Sequence, residues 1–229
     1  MDRRQFTSQL AVGAGLWVWA ARSQALALSD ADATAGLKAA LQRGAEVAVS
    51  LLGKADGFLG NPKVKIPLPS GLDSAAKVMR GMGQGAQVDE LVTAMNRAAE
   101  AAVPESKQLL SDAVSHMTVS DAKKILNGGE TSVTHFFAEK TRKPLGAKFL
   151  PIVTVQTEKV SLAQKYNAVA GQASGFGLVK KEDANVQQYV TGKTLDGLYY
   201  MIGEEEKKIR KDPVGTGSEL LTKVFGSLG

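Results

Sequence analysis

Apolar residues recur at intervals of three and four through most of the chain, the spacing of one buried helix face. Leu37, Leu41, Ala45, Ala48 and Leu52 form such a stripe. Ser29 is placed to cap it, and Asp30 and Asp32 lie at the positive end of its dipole. Val88, Leu91, Val92, Met95, Ala99 and Ala102 form a second stripe inside VDELVTAMNRAAEAAVP, where alanines at 98, 99, 101 and 102 allow a close helix–helix approach. Pro104 opens a further helix with the stripe Leu110, Ala113, Val114 and Met117. Ser120 is expected to cap the short helix DAKKILNGG, which Gly128 and Gly129 close. Val133, Phe136 and Phe137 share one face of another short helix. Near the end, Leu195, Leu198, Tyr199, Ile202 and Ile209 lie on one side of a helix stopped at Asp212-Pro213, and Leu220, Leu221, Val224 and Phe225 form an apolar tail.

Four stretches interrupt this pattern. In GFLGNPKVKIPLPSGL, Asn61-Pro62 signals a turn, and Lys63-Val64-Lys65-Ile66 alternates as a half-buried strand does. Pro67 and Pro69 forbid helix and limit ladder hydrogen bonds, so a short edge hairpin or an extended arm is expected, with Phe58, Val64 and Ile66 turned inward. A helix from about Gly71 to Arg80 is followed by GMGQG, which reads as an interhelical loop, since no strand precedes it and the phosphate-binding fingerprint is incomplete. Pro144 and Pro151 bracket GAKFL, and the β-branched run at 152–158 fits either helix or strand. Helix resumes from Ser161 to about Ala170 before the loop-like AGQASGFG. The fold class predicted is all-α, mainly a helical bundle, with a short β-hairpin or extended arm near 57–69.

The first residues differ from the rest. Arg3 and Arg4 precede a mild apolar run from Leu10 to Ala21, and Ser23-Gln24-Ala25 and Ala25-Leu26-Ala27 both offer signal-peptidase sites. Residues 1–27 are therefore expected to be a signal peptide, and 28–229 a single helical domain working in the periplasm. The Arg-Arg-x-Phe order and Arg22 after the apolar run favour the twin-arginine route, with an ordinary signal peptide as the alternative. The apolar run falls short of the ~20 residues that span a bilayer, so no transmembrane anchor is expected in the mature chain.

Composition narrows the chemistry. The chain has 229 residues and no cysteine, which removes disulfides, thiol catalysis, thiolate metal sites and a lipidated cysteine. The formal charge of +5 is spread over interspersed acids and bases, as in EEEKKIRKD, and does not make a nucleic-acid footprint. Of the two histidines, His135 should face solvent, and His116 lies one turn after Asp112. Two ligands do not make a metal site, and His-Glu-x-x-His and Gly-x-Ser-x-Gly are absent. No metal and no cofactor is expected.

Carboxylates are the remaining candidates. On a wheel of about 100° per residue, Glu206 and Glu205 fall on the two flanks of the Ile202/Ile209 face. An acid there must be paired or neutralised, and Arg210 stands one turn away from Glu206. The trio reads either as a structural salt bridge or as a weak catalytic candidate, with a carboxylate as general acid or base. Asn96, Arg97 and Glu100 lie on the polar face of their helix and read as solvent-exposed. If that face instead meets the arm, Asn96 and Arg97 are placed to bind its backbone, making Asn96, Arg97 and Glu100 with Ile66, Pro67, Leu68 and Pro69 a candidate ligand- or partner-binding site.

The segments LSDADATAGLKAALQRGAEVAVSLL, DGFLGNPKVKIPLPSGL, VDELVTAMNRAAEAAVP, SDAKKILNGG and YVTGKTLDGLYYMIGEEEKKIRKDP follow one another in order. In this the chain resembles the exported bacterial family catalogued as domain of unknown function 4197, over nearly all of the expected mature chain. The resemblance implies export and a single domain. It implies no activity, substrate or catalytic residue, and the chain departs from the family's lipoproteins in having no cysteine to acylate. Three functions are then expected in order: non-catalytic binding of an apolar or amphiphilic small molecule, docking of an envelope protein partner, and a hydrolase-like enzyme using a core-facing carboxylate. The oligomeric state is not set by these features.

Overall fold

A computed structural model describes residues 30–129, 131–175 and 185–212. Eight α-helices follow in order: α1 (Asp30–Leu52), α2 (Ser70–Gly81), α3 (Gly85–Ala102), α4 (Lys107–Ser115), α5 (Val119–Leu126), α6 (Ser132–Thr157), α7 (Ser161–Gly175) and α8 (Val186–Lys211). A 3-10 turn, Val103–Ser106, joins α3 to α4 with Pro104 in its first turn, where a missing N–H leaves no bond unmade. The described residues contain no strand. The expected leader, the Ser29 cap and the Leu220–Phe225 tail lie outside the described residues.

The long helices α6 and α8 pack most extensively on each other. On this pair, α3 covers α6 and α1 covers α8, while α4 and α5 close the side between α1 and α6. The apolar stripes are what bring them together. All five residues of the α1 stripe are buried, as are Val88, Leu91, Met95, Ala99 and Ala102 of α3, and Leu195, Leu198, Tyr199, Ile202 and Ile209 of α8. Ala98 and Ala99 carry no exposed surface, so at these two positions α3 meets its neighbours through methyl groups. Gly197 serves the same end on α8: a Cβ there would sit 2.8 Å from the Phe58 ring.

Several expectations are corrected. Neither a hairpin nor an extended arm forms near 57–69; the chain there runs through turns and irregular backbone, with Phe58, Val64, Ile66 and Pro69 buried. The alternation was sound, since Phe58, Val64 and Ile66 are buried, but no second strand lies beside it. The 152–158 run is helical, and Pro144 and Pro151 both lie inside α6 rather than bracketing a break. They stand seven apart on the exposed face, so the carbonyls of Lys140 and Ala147 that they leave unpaired face water. Phe137, Leu145, Phe149 and Val153 hold the opposite face in the core, which outweighs the cost of the two missing bonds. The cap of α5 is Thr118, not Ser120: its hydroxyl accepts the Asp121 N–H at 3.1 Å, and Asp121 accepts the Thr118 N–H at 3.1 Å. Finally, α7 continues to Gly175, through most of the segment expected to be loop.

Candidate functional site

The segment between α1 and α2 is held by side chains of α3. Asn96 Oδ1 accepts the Ile66 N–H at 2.8 Å, and its Nδ2 donates to the Ile66 carbonyl at 3.0 Å and the Val92 carbonyl at 2.8 Å. One carboxamide thus meets both polar groups of one residue, as a neighbouring strand would. This is the partner that the alternating KVKI run lacked. One turn along, Glu100 Oε1 accepts the N–H groups of Phe58 and Leu59, each at 3.0 Å. Its Oε2 takes Arg97 Nη1 at 2.6 Å, and Arg97 Nη2 reaches Asp56 at 2.8 Å. From α8, the Tyr189 hydroxyl donates to the Pro67 carbonyl at 3.2 Å.

Of the candidate binding residues, the structure joins Asn96 to Ile66 and Arg97 to Glu100, while the carbonyls of Pro67 and Leu68 meet Tyr189 of α8. It also corrects their setting: Asn96 is fully buried and Glu100 is 5 % exposed, rather than facing solvent. Arg97 binds carboxylates rather than arm carbonyls. Ile66 and Pro69 are buried, Leu68 is half-buried and Pro67 is exposed. The polar atoms of Asn96 and the Oε1 of Glu100 are matched by backbone groups of the chain itself, and Glu100 Oε2 by Arg97, so their geometry is that of a clamp.

The two acids of α8 are buried as the wheel predicts, Glu205 at 8 % and Glu206 at 2 % exposure. Glu205 is paired with Lys208 at 2.6 Å and borders an open cleft of about 300 Å3 with Arg43 of α1. Glu206 lines no part of that cleft. The side chain of Arg210 lies outside the described residues. His135 is exposed as expected. His116 is exposed at the end of α4, with Nδ1 donating to the Asp112 carbonyl at 2.8 Å, while the Asp112 carboxylate takes Gln108. Among the described residues no group of three or more His, Asp or Glu side chains is arranged to hold a metal ion.

A cleft that the sequence did not single out lies between the first half of α6 and the second half of α8. It is open, measures about 380 Å3, and has Ala138, Gly203 and the Tyr199 ring in its floor. Tyr199 is buried, and its hydroxyl lies 2.9 Å from that of Thr141. Thr141 donates its own proton to the Phe137 carbonyl at 2.6 Å, so Tyr199 is the donor between them. Burial raises the Tyr199 pKa above its ordinary value against the opposing charge of Arg142, and the phenol stays protonated. Arg142 stands over the Tyr199 ring, 5.5 Å from its centre, and is tethered to Asp196 at 2.5 Å. At the opposite end, Glu204 joins Lys207 at 3.4 Å and Lys63 at 3.3 Å. Burial opposes the ionisation of Glu204, but hydrogen bonds from the two lysines outweigh it and hold its pKa below the ordinary value. Tyr200 and His135 complete the rim, Tyr200 at 41 % exposure.

The only sequence signal for this cleft is that Tyr199 and Tyr200 must point to different sides of one helix. Arg142 and Asp196 are far apart in sequence and meet only because α6 and α8 pack side by side. No curated protein and no solved structure matches the chain. A family model described as protein of unknown function (DUF4197) matches residues 27–226, covering every described residue of this bundle, and the chain belongs to that family.

Proposed function

We propose that this protein is exported to the periplasm and binds an amphiphilic small molecule there, without catalysis, in the cleft between α6 and α8. The observation that carries this reading is the cleft's division into an apolar floor and a charged rim. Ala138, Gly203 and the Tyr199 ring offer apolar contact, while Arg142, His135 and Lys207 offer donors to an acidic or polar head. Its volume of about 380 Å3 falls in the ~300–1,000 Å3 range of ligand clefts. Because the cleft opens to water, an amphiphile suits it better than a wholly apolar ligand. The basic, apolar and small-residue parts of the first 27 residues support the export half of the reading.

Native mass spectrometry of the mature protein, purified without detergent from the exported fraction of its host, tests the binding half. A discrete added mass that is lost in Ala138→Phe supports the reading. A clean mass, together with no saturable fluorescence titration by the amphiphilic anion anilinonaphthalene sulfonate, refutes it. Changing Arg3 and Arg4 to Lys tests the route: twin-arginine export predicts that precursor accumulates inside the cell.

A second reading, docking of an envelope protein, has one observation in its favour. Val78 and Met82 at the end of α2 are 62 % and 69 % exposed, on a helix that packs chiefly on α3. The catalytic reading has less support, since Glu206 borders neither the α6–α8 cleft nor the Glu205 cleft.

A further inference from the structure

At the other half of α6, its last turns converge with the start of α7 and the start of α8 on a wide groove of about 740 Å3. Five of its lining side chains are carboxamides: Gln164 and Asn167 from α7, and Asn185, Gln187 and Gln188 at the start of α8. Among the described residues of the lining, Glu158 is the one charged residue and Leu150 the one large apolar residue.

Four of these amides, all but Gln188, are held in place by one another and by the backbone. Asn167 donates to the Gln187 side-chain oxygen at 2.8 Å and accepts the Val186 N–H at 2.8 Å. Asn185 accepts the Gln188 N–H at 2.7 Å, and Gln164 donates to the Glu158 carbonyl at 2.8 Å. Each carboxamide has two donor hydrogens and an acceptor oxygen. With those bonds made, the Gln187 and Asn185 nitrogens retain donors, the Gln164 oxygen remains an acceptor, and Gln188 offers both. The described residues of the groove thus present donors and acceptors side by side, with Glu158 their one charge.

Three ligand classes fit this poorly. An anion or nucleic acid needs cations, and the described residues of the lining include none. A peptide needs buried apolar anchors, and among the described residues Leu150 alone is available. A purely apolar ligand would leave the amides without partners. A chain of hydroxyl groups, each donor and acceptor at once, fits well. We propose that this groove binds a neutral oligosaccharide. An acetamido sugar should be favoured, because its trans amide points N–H and C=O in opposite directions and can thus bridge two neighbouring carboxamides. The assignment is independent of the α6–α8 cleft, which lies on the other half of α6.

The test is a titration of isotopically labelled mature protein with the N-acetylglucosamine tetramer, read by NMR on backbone and side-chain amide groups. The expected result is saturable shifts in the carboxamide signals of Gln164, Asn185, Gln187 and Gln188, with weaker binding of the glucose tetramer. Gln188→Ala, at an exposed side chain, should leave the fold intact and weaken binding about two- to tenfold, the effect of one lost hydrogen bond. No saturable shift up to about 10 mM would overturn the proposal. So would shifts confined to the α6–α8 cleft, equal binding by a tetra-alanine peptide, or an affinity unchanged by Gln188→Ala.

Discussion

Replacing Asn96 by Ala tests whether one side chain substitutes for a missing strand. The carboxamide makes three hydrogen bonds, two of them to Ile66, which is 1 % exposed. Truncation leaves the Ile66 N–H and C=O buried without their partner. Each such group costs about 1–3 kcal/mol, so the pair should cost about 2–6 kcal/mol, with about 3 expected once water enters the space left behind. That is a large part of the ~5–15 kcal/mol that holds a typical domain folded. Urea unfolding followed by far-ultraviolet circular dichroism measures it as a fall in midpoint, and hydrogen exchange reads the Ile66 amide directly. Asn96→Asp adds a sign. The new carboxylate still accepts the Ile66 N–H but faces the Ile66 and Val92 carbonyls without a proton to donate. Its folded pKa should therefore lie above its unfolded one. The folded state then binds the proton more tightly, so this variant should regain stability as pH falls and lose it as pH rises through the folded value. Thr93→Ala, at an exposed position of the same helix, should change stability by less than about 0.5 kcal/mol. A loss under about 1 kcal/mol in Asn96→Ala with Ile66 still protected would refute the clamp.

Two glycines of α8 should respond in opposite directions to alanine. Gly197→Ala drives a methyl into the buried Phe58 ring, and overpacking of about 1–3 kcal/mol should exceed the helix-propensity gain of about 1. Gly192→Ala meets nothing within 4 Å and should stabilise by about 0.5–1 kcal/mol; thermal melts that move both variants the same way would contradict the packing described here. Thr191 Oγ1 is buried with no hydrogen-bond partner, so Thr191→Val should raise the urea midpoint, by up to about 1 kcal/mol, and a loss of that size would mean the hydroxyl is bonded. Hydrogen bonds from the Thr118 hydroxyl and N–H hold the Asp121 carboxyl below the ordinary carboxylate range. Its contribution to α5 should be complete above about pH 4 and lost as pH falls through the lowered folded value. Amide exchange of α5 between pH 5 and 2.5 should show this, and Asp121→Asn should flatten it.

Periodicity alone determined the helical class, the buried stripes of α1, α3 and α8, the inward turn of Phe58, Val64 and Ile66, and the burial of Glu205 and Glu206. These follow because the repeat of a helix or an extended chain decides which side chains share a face, and apolar faces leave water. Elements that depend on what lies opposite were not legible in this way. The KVKI run alternates as a strand does, yet only the fold supplies Asn96 in place of a ladder. The two prolines of α6 read as breaks, yet packing on their opposite face carries the helix through them. Thr118 and Ser120 are both acceptable caps, and the choice went to the residue whose hydroxyl meets Asp121. The α6–α8 cleft and the carboxamide groove belong wholly to the tertiary level. Arg142 with Asp196, and Asn167 with Gln187, are partners from different helices, and a sequence pattern describes the face of one helix but not the atoms that another brings against it.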